Sequence, residues 1–229
     1  ACYPRTEDIE GNYLMPVVMT YTSLTEDIKN YLERGGVSDP LVLAQIPSFI
    51  QFGQTRLNRE AKGLITQTVQ TNFFQPGNPI VQKPAYWRST KSFNFGTGTG
   101  FNTRNFLQLR GYEYCRAFWV DPTQTGVPQF YADYNYEHWL IVPTPALAYP
   151  FEVIEDDFVF PIDNSNQTNF WTRFCPDLLL HACLMEAQVF LKNIENYQPA
   201  QQYFDRLLQG VDFEEEIRKA DRTQKADLR

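Results

Sequence analysis

The sequence predicts an α+β protein: a helical bundle built from both chain ends, with an antiparallel β-sandwich or small barrel inserted between them. Three observations carry this. Apolar residues recur at i, i+3, i+4 near both ends of the chain. In the middle they alternate in short runs broken by Pro and Gly, with no helical period between the runs. The stretch Asn169 to Asn193, NFWTRFCPDLLLHACLMEAQVFLKN, is apolar on most sides and needs several packing partners. The expected organisation is an N-terminal arm at 1–18, the bundle at 19–64 and 165–211, the β-module at 65–164 and a C-terminal tail at 212–229.

In the arm, Pro4, Gly11 and Pro16 oppose a helix. Ala1 to Val18 holds Asp, Glu and Pro and no apolar run, so no signal peptide is expected there. Met19 reads like an ordinary protein start, as if the arm were added to a complete core. Thr25 is placed as the cap of a first helix, Leu24 to Arg34, with Glu26 and Asp27 in its first turn and Gly35-Gly36 at its end. Asp39-Pro40 opens a second helix whose apolar face holds Val42, Ile46, Phe49, Ile50, Gly53 and Leu57. Pro47 either kinks it or marks a turn followed by a helix. Arg56 and Arg59 lie at its C-terminal end, where the helix dipole favours cations, and Arg56 flanks the apolar face. Gly63 is the expected stop.

Strands are expected at Thr66 to Phe74, Ser89 to Phe95, Phe106 to Leu109, Glu113 to Trp119 and Pro150 to Glu155. Phe130 to Tyr134 and Trp139 to Val142 should form a hairpin turning near Asn135, Tyr136 and Glu137. Gly96-Thr97-Gly98-Thr99-Gly100 superficially resembles a phosphate-binding loop, but FNTRNFLQLR follows it like a strand, which favours a hairpin tip.

The long apolar stretch reads as one buried helix. Phe174, Leu178, Leu179, Cys183, Met185, Val189 and Phe190 cover most of its circumference, Asp177, His181, Gln188 and Lys192 form one narrow polar stripe, and Pro176 fits its first turn. Glu186 lies about half a turn from that stripe. A buried carboxylate needs a partner. The choice is a structural ion pair, with Arg56 as the arginine to meet it, or a catalytic acid. No second carboxylate, histidine or thiol stands at a helpful spacing, which favours the pair. Asn196 and Pro199 start another helix, with Phe204, Leu207, Leu208 and Val211 as its stripe. In the tail, Glu214–Arg218 and Glu215–Lys219 are i,i+4 pairs, and Phe213 and Ile217 are the sizeable apolar residues before Leu228. Alone it is either a free solvated helix or a disordered tail, and the functional alternative is a segment that orders on a partner.

The chain has 229 residues, 43% hydrophobic and 21% charged, which marks a globular protein. Its net charge of -7 argues against a basic groove that grips nucleic acid. The long helix is too interrupted by polar groups for a membrane span. Cys2, Cys115, Cys175 and Cys183 include no C-x-x-C, and Cys175 and Cys183 are too far apart on one helix for a disulfide; a reduced site of synthesis fits. His138 and His181 lack a nucleophile or metal-ligand pattern around them. Glu155-Asp156-Asp157 lacks calcium-loop spacing and reads as an exposed acidic turn. No cofactor and no metal are expected.

Three stretches carry a resemblance. IPSFIQFGQTRLNREAKGL, Ile46 to Leu64, ends in an R-x-N-R motif. RGYEYCRAFW and QFYADYNYEHWLIVPTPALAYPFEV, within Arg110 to Val153, read as a hairpin leading into a Pro-x-Pro turn. NQTNFWTRFCPDLLLHACLMEAQVFLKN, Asn166 to Asn193, shows N-x-W, PDLLL and L-x-E-A. In these stretches, and in their order and spacing, the chain resembles the head-to-tail adaptor (connector) family of short-tailed bacteriophages over most of Thr20 to Gly210. The resemblance implies a structural virion protein without catalysis. It implies a ring of copies, twelvefold, assembled in the host cytoplasm beneath the portal protein at the head–tail junction. The ring would extend the DNA channel without binding DNA specifically, and dock tail nozzle or tail fibre proteins. The family's C-terminal region reaches the portal, which points to Phe213, Ile217, Arg218, Arg222 and Leu228 as portal contacts. Two other classes remain open. A monomer that binds glycans through the aromatic run Phe130 to Tyr136 would be a virion-associated carbohydrate-binding module. A turnover activity lost with Glu186 would mark a hydrolase.

Overall fold

The computed structural model describes residues 18–34, 36–37, 39–61, 67–97 and 103–224. The arm at 1–17, the Gly63 stop and Leu228 lie outside them. The helices are α1 (Tyr21–Arg34), α2 (Pro40–Leu43), α3 (Ile46–Glu60), α4 (Tyr112–Phe118), α5 (Phe170–Phe174), α6 (Pro176–Phe190) and α7 (Ile194–Gln224). The strands are β1 (Gln67–Phe73), β2 (Ile80–Gln82), β3 (Trp87–Gly96), β4 (Arg104–Phe106), β5 (Gln108–Leu109), β6 (Thr125–Gly126), β7 (Phe130–Asn135), β8 (His138–Val142), β9 (Thr144–Pro145) and β10 (Pro150–Asp157). The fold is therefore α+β. The chain divides into two compact units, Ala1–Lys62 with Val159–Arg229, and Gly63–Phe158.

In the helical unit, α3 runs against α6, α6 against α7, and α1 against both α3 and α6. The buried faces follow the helical period: Leu24, Ile28 and Leu32 on α1, Phe49, Ile50 and Leu57 on α3, and Phe204 on α7. Helix α1 begins earlier than the sequence predicts. Thr20, not Thr25, caps it: the Ser23 amide donates to Thr20 Oγ1 (3.1 Å) and the Thr20 amide to Ser23 Oγ (2.9 Å). Thr25 sits inside the helix and donates back to the Tyr21 carbonyl at 2.8 Å. At Pro47 the chain takes the second of its two options. Asp39 caps the short α2, and α3 starts afresh with Pro47 in its first turn.

The long apolar stretch is two helices rather than one. Asn169 and Thr172 form a reciprocal cap that starts α5, and the chain breaks at Cys175. Pro176 has no N–H to donate back into α5 and becomes the first residue of α6. Phe174, Val189 and Phe190, expected in the core, are exposed at 64%, 54% and 51%. In the tail the described residues take the helical one of the expected options, as a continuation of the last helix. It does not stop near Val211 but continues to Gln224. After Gly210 the sequence holds no Gly or Pro up to that point and is rich in good helix formers, so nothing ends it. Asn193 caps it, accepting from the Asn196 amide at 3.2 Å.

The β-unit is a sandwich. One sheet has the order β1-β10-β3-β4 and the other β2-β8-β7-β5. Between them lie Phe74, Phe93, Phe95 and Phe151 from one side and Tyr131, Trp139 and Ile141 from the other. Trp139 Nε1 also donates across the sandwich to Thr90 Oγ1, at 3.0 Å. The Phe106 to Leu109 stretch is split. β4 and β5 belong to different sheets, and Leu107, buried between them, marks where the chain changes layer. Two pairs are parallel, β5 with β7 and β6 with β9, so the module is not purely antiparallel.

Glu113 to Trp119, expected as a strand on its aromatic content, is the helix α4. Its buried face has helical spacing: Cys115 is fully buried against Ala132, Leu140 and Val142, and Trp119, four residues on, packs against the same cluster. α4 covers the outer face of β7 and supplies the crossover that parallel pairing of β5 with β7 demands. The Gly96 to Gly100 run connects β3 to β4, an antiparallel pair with Gly96 opposite Arg104. Its residues from Gly98 onward are outside the described ones.

Candidate functional site

The described polar geometry of the helical unit centres on the R-x-N-R motif at the end of α3. Arg56 faces α6, where its Nη2 lies 2.6 Å from Glu186 Oε1 and its Nε donates to the same oxygen at 2.8 Å. Glu60, one turn on, lies 3.7 Å from Arg56 Nη1. The guanidinium thus ties α3 to α6. Burial works to lower the Arg56 pKa, but the bond and charge of Glu186 outweigh it and leave the pKa raised. Glu60 is pushed up, first by burial and then by the nearby Asp205 and Glu186, against the pull of Arg56. The side chains of Arg56 and Glu186 keep 24% and 18% exposure, so the pair is half-buried rather than fully buried as the sequence suggests. It borders a cavity of about 540 Å³ that also meets Gln51, Phe52 and Arg59.

Asn58 of the same motif faces the opposite way. Its amide brackets Val159, accepting from the backbone N–H and donating to the carbonyl, both at 3.2 Å. One turn earlier, Gln54 Oε1 accepts from the Ile162 amide (2.9 Å) and from Asn169 Nδ2 (3.1 Å). Trp171 Nε1 reaches Asn58 Oδ1 at 3.4 Å. Gln54, Asn58 and Asn169 are buried polar side chains, and each is satisfied. Two of the three resembling stretches therefore meet: the R-x-N-R side chains of α3 hold the N-x-W and L-x-E-A residues. Sequence reasoning missed Gln54, Asn58 and Asn169. The available signal was the i, i+4 spacing of Gln54 and Asn58 on an otherwise apolar helix.

The other sequence-selected residues fall apart from this junction. Phe213 and Ile217 lie on the outer stretch of α7, exposed at 63% and 51%. Arg218 and Arg222 are on the same helix, with side chains outside the description. His181 packs edge-on against Tyr203 with ring centroids 4.5 Å apart, and burial lowers its pKa. Cys183 is buried, and burial raises its thiol pKa. Among the described residues no group of three His, Cys, Asp or Glu could hold a metal ion. No described helix is long and apolar enough to cross a membrane.

Glu155-Asp156-Asp157 is not an exposed turn. It closes β10, and Glu155 is only 1% exposed, because the pleat that points Val153 inward points Glu155 inward too. Burial, and then the charge of Asp157, push its carboxyl from an ordinary 4.5 up to about 8. The folded state thus holds a proton that the unfolded chain releases. Stability from this group is complete below pH 4.5, falls as pH rises toward about 8, and levels off above it. Glu155→Gln is expected to flatten that slope and to stabilise the protein by a few kcal/mol at pH 8, on the order set by ~1.4 kcal/mol per pH unit. Thermal melts of both proteins from pH 5 to pH 9 check this; parallel pH profiles would contradict it.

The chain belongs to the SU10 adaptor protein family, whose family model matches residues 19–227. It is accordingly a phage structural adaptor and a virion component. No curated protein matches the chain.

Proposed function

We propose that the chain is the head-to-tail adaptor of its virion. Copies form a ring, twelvefold by resemblance, beneath the portal protein, extend the DNA channel and offer the docking surface for tail nozzle or tail fibre proteins. The observation that carries this is the family match over nearly the whole chain. In this reading the protein catalyses no reaction, and the Arg56–Glu186 junction is structural. It holds the bundle of 19–64 and 165–211 rigid, while the β-module of 65–164 faces neighbours.

The portal contact is assigned to the outer part of α7 and the residues beyond it: Phe213, Ile217, Arg218, Arg222 and Leu228. Two apolar side chains a turn apart on an exposed helix are supporting geometry, since such anchors suit a groove on a partner. Deleting Phe213 to Arg229 should leave the thermal transition of the isolated protein nearly unchanged, because these anchors bury little. The same deletion should abolish capture by portal rings in a pull-down. Undiminished capture would place the contact elsewhere, with the arm at 1–18 as the next candidate.

The net charge of -7 suits a channel that lets DNA pass. Fluorescence anisotropy with duplex DNA at physiological salt should show no appreciable binding. A tight, steeply salt-dependent affinity would contradict this part of the proposal.

A further inference from the structure

The outer face of α4 and β7 is built for contact. Tyr114 and Phe118, one turn apart, stack with rings 7° from parallel, and Phe130 of β7 meets both edge-on. On the other flank Tyr112 packs on Tyr134. These rings are not spent on the core: Tyr112, Tyr114 and Phe118 are exposed at 39%, 48% and 42%. Each flank carries one arginine. The Arg110 guanidinium lies 5.6 Å from the Tyr114 ring and 5.7 Å from Phe130. That of Arg116 lies 5.3 Å from Tyr112 and 6.0 Å from Tyr134. Arg110 donates to Gln108 Oε1 and Arg116 to the Tyr112 hydroxyl, both neutral acceptors. Neither forms an ion pair with a described carboxylate.

Two guanidiniums held beside aromatic rings, with most of their N–H groups unused, are placed to meet a carboxylate. Exposed tyrosine, phenylalanine and arginine side by side make up the composition of an interface centre. We propose that this face docks an acidic, aromatic-compatible segment of a tail-side protein, whose carboxylates pair with Arg110 and Arg116 while its apolar groups lie on Tyr114 and Phe118. That the partner is a tail-side protein rests on the adaptor assignment; the recognition chemistry does not. A protein carboxylate fits better than a nucleic-acid phosphate. The face offers two cations rather than a stripe, Glu113 shares the helix, and the chain as a whole is acidic.

The test uses the full chain and two fluorescent probes, a glutamate–tyrosine copolymer and a single-stranded oligothymidine. The copolymer should bind the parent saturably. The double variant Arg110→Gln, Arg116→Gln should bind it at least ~10-fold more weakly, the loss expected when charge-assisted bonds go. Tyr114→Ala, which keeps both arginines, should also weaken it. All three side chains are on the surface, so circular dichroism melts of the variants should match the parent. No saturable binding by the parent, equal binding by the double variant, or preference for oligothymidine would each overturn the proposal. Capture by portal rings should be the same for parent and variants. If the parent itself is not captured, the adaptor assignment fails and not this surface.

Discussion

Glu186→Ala is expected to destabilise the folded protein by roughly 2–3 kcal/mol, somewhat below the ~3–5 kcal/mol for a fully buried pair broken on one side. The variant leaves Arg56 without the α6 carboxylate that accepts two of its donors, at 2.6 and 2.8 Å. The loss is less than the maximum because both side chains keep some contact with water and Glu60 remains at 3.7 Å. Most of the effect is the stranded charge, not the lost attraction. Combining Glu186→Ala with Arg56→Met should therefore recover part of the stability, since methionine fills the space and strands nothing. Urea unfolding of the four proteins in this cycle measures both terms. Single variants that unfold like the parent would show that the junction contributes nothing.

Gly53→Val should cost at least as much. At Gly53, α3 meets the backbone of α6: a β-carbon would stand 2.9 Å from the Cys183 amide nitrogen and 2.9 Å from its Sγ. Sulfur could rotate away, but the backbone nitrogen cannot, so the two helices must separate. Overpacking of this kind costs about 1–3 kcal/mol and more for a branched side chain. Gly53→Ala sets this cost against the ~1 kcal/mol gained by replacing a helical glycine. Adding Cys183→Ala should recover only a part, because it removes the sulfur clash and leaves the backbone one. Full recovery in urea unfolding would mean that the close approach is set by the thiol alone.

The legible parts of the fold were those with a dominant local period. The helical spacing on α1 and α3 and the alternation in β1, β3 and β10 each match the elements that form. What the sequence hid depended on context. α4 carries three aromatic residues, which favour strands, yet it is a helix whose buried Cys115 covers Ala132 and Leu140. The break between α5 and α6 was open to reading from Pro176, but the apolar run on both sides masked it. Exposure misled in both directions. Phe174 and Phe190 are apolar and exposed, while Glu155 is charged in sequence and buried in fact. At the junction, Glu186 stood out because it left the polar stripe, and the structure brings Arg56 to it. Gln54, Asn58 and Asn169 did not stand out, because an amide looks ordinary until the carbonyls and amides it satisfies are in place.

The measurement closest to the central claim is negative-stain imaging of the purified protein alone and mixed with portal rings. Closed rings are expected that seat coaxially on one face of the portal, lengthening its channel. Particles that remain single copies at micromolar concentration, and leave the portal undecorated, would contradict it.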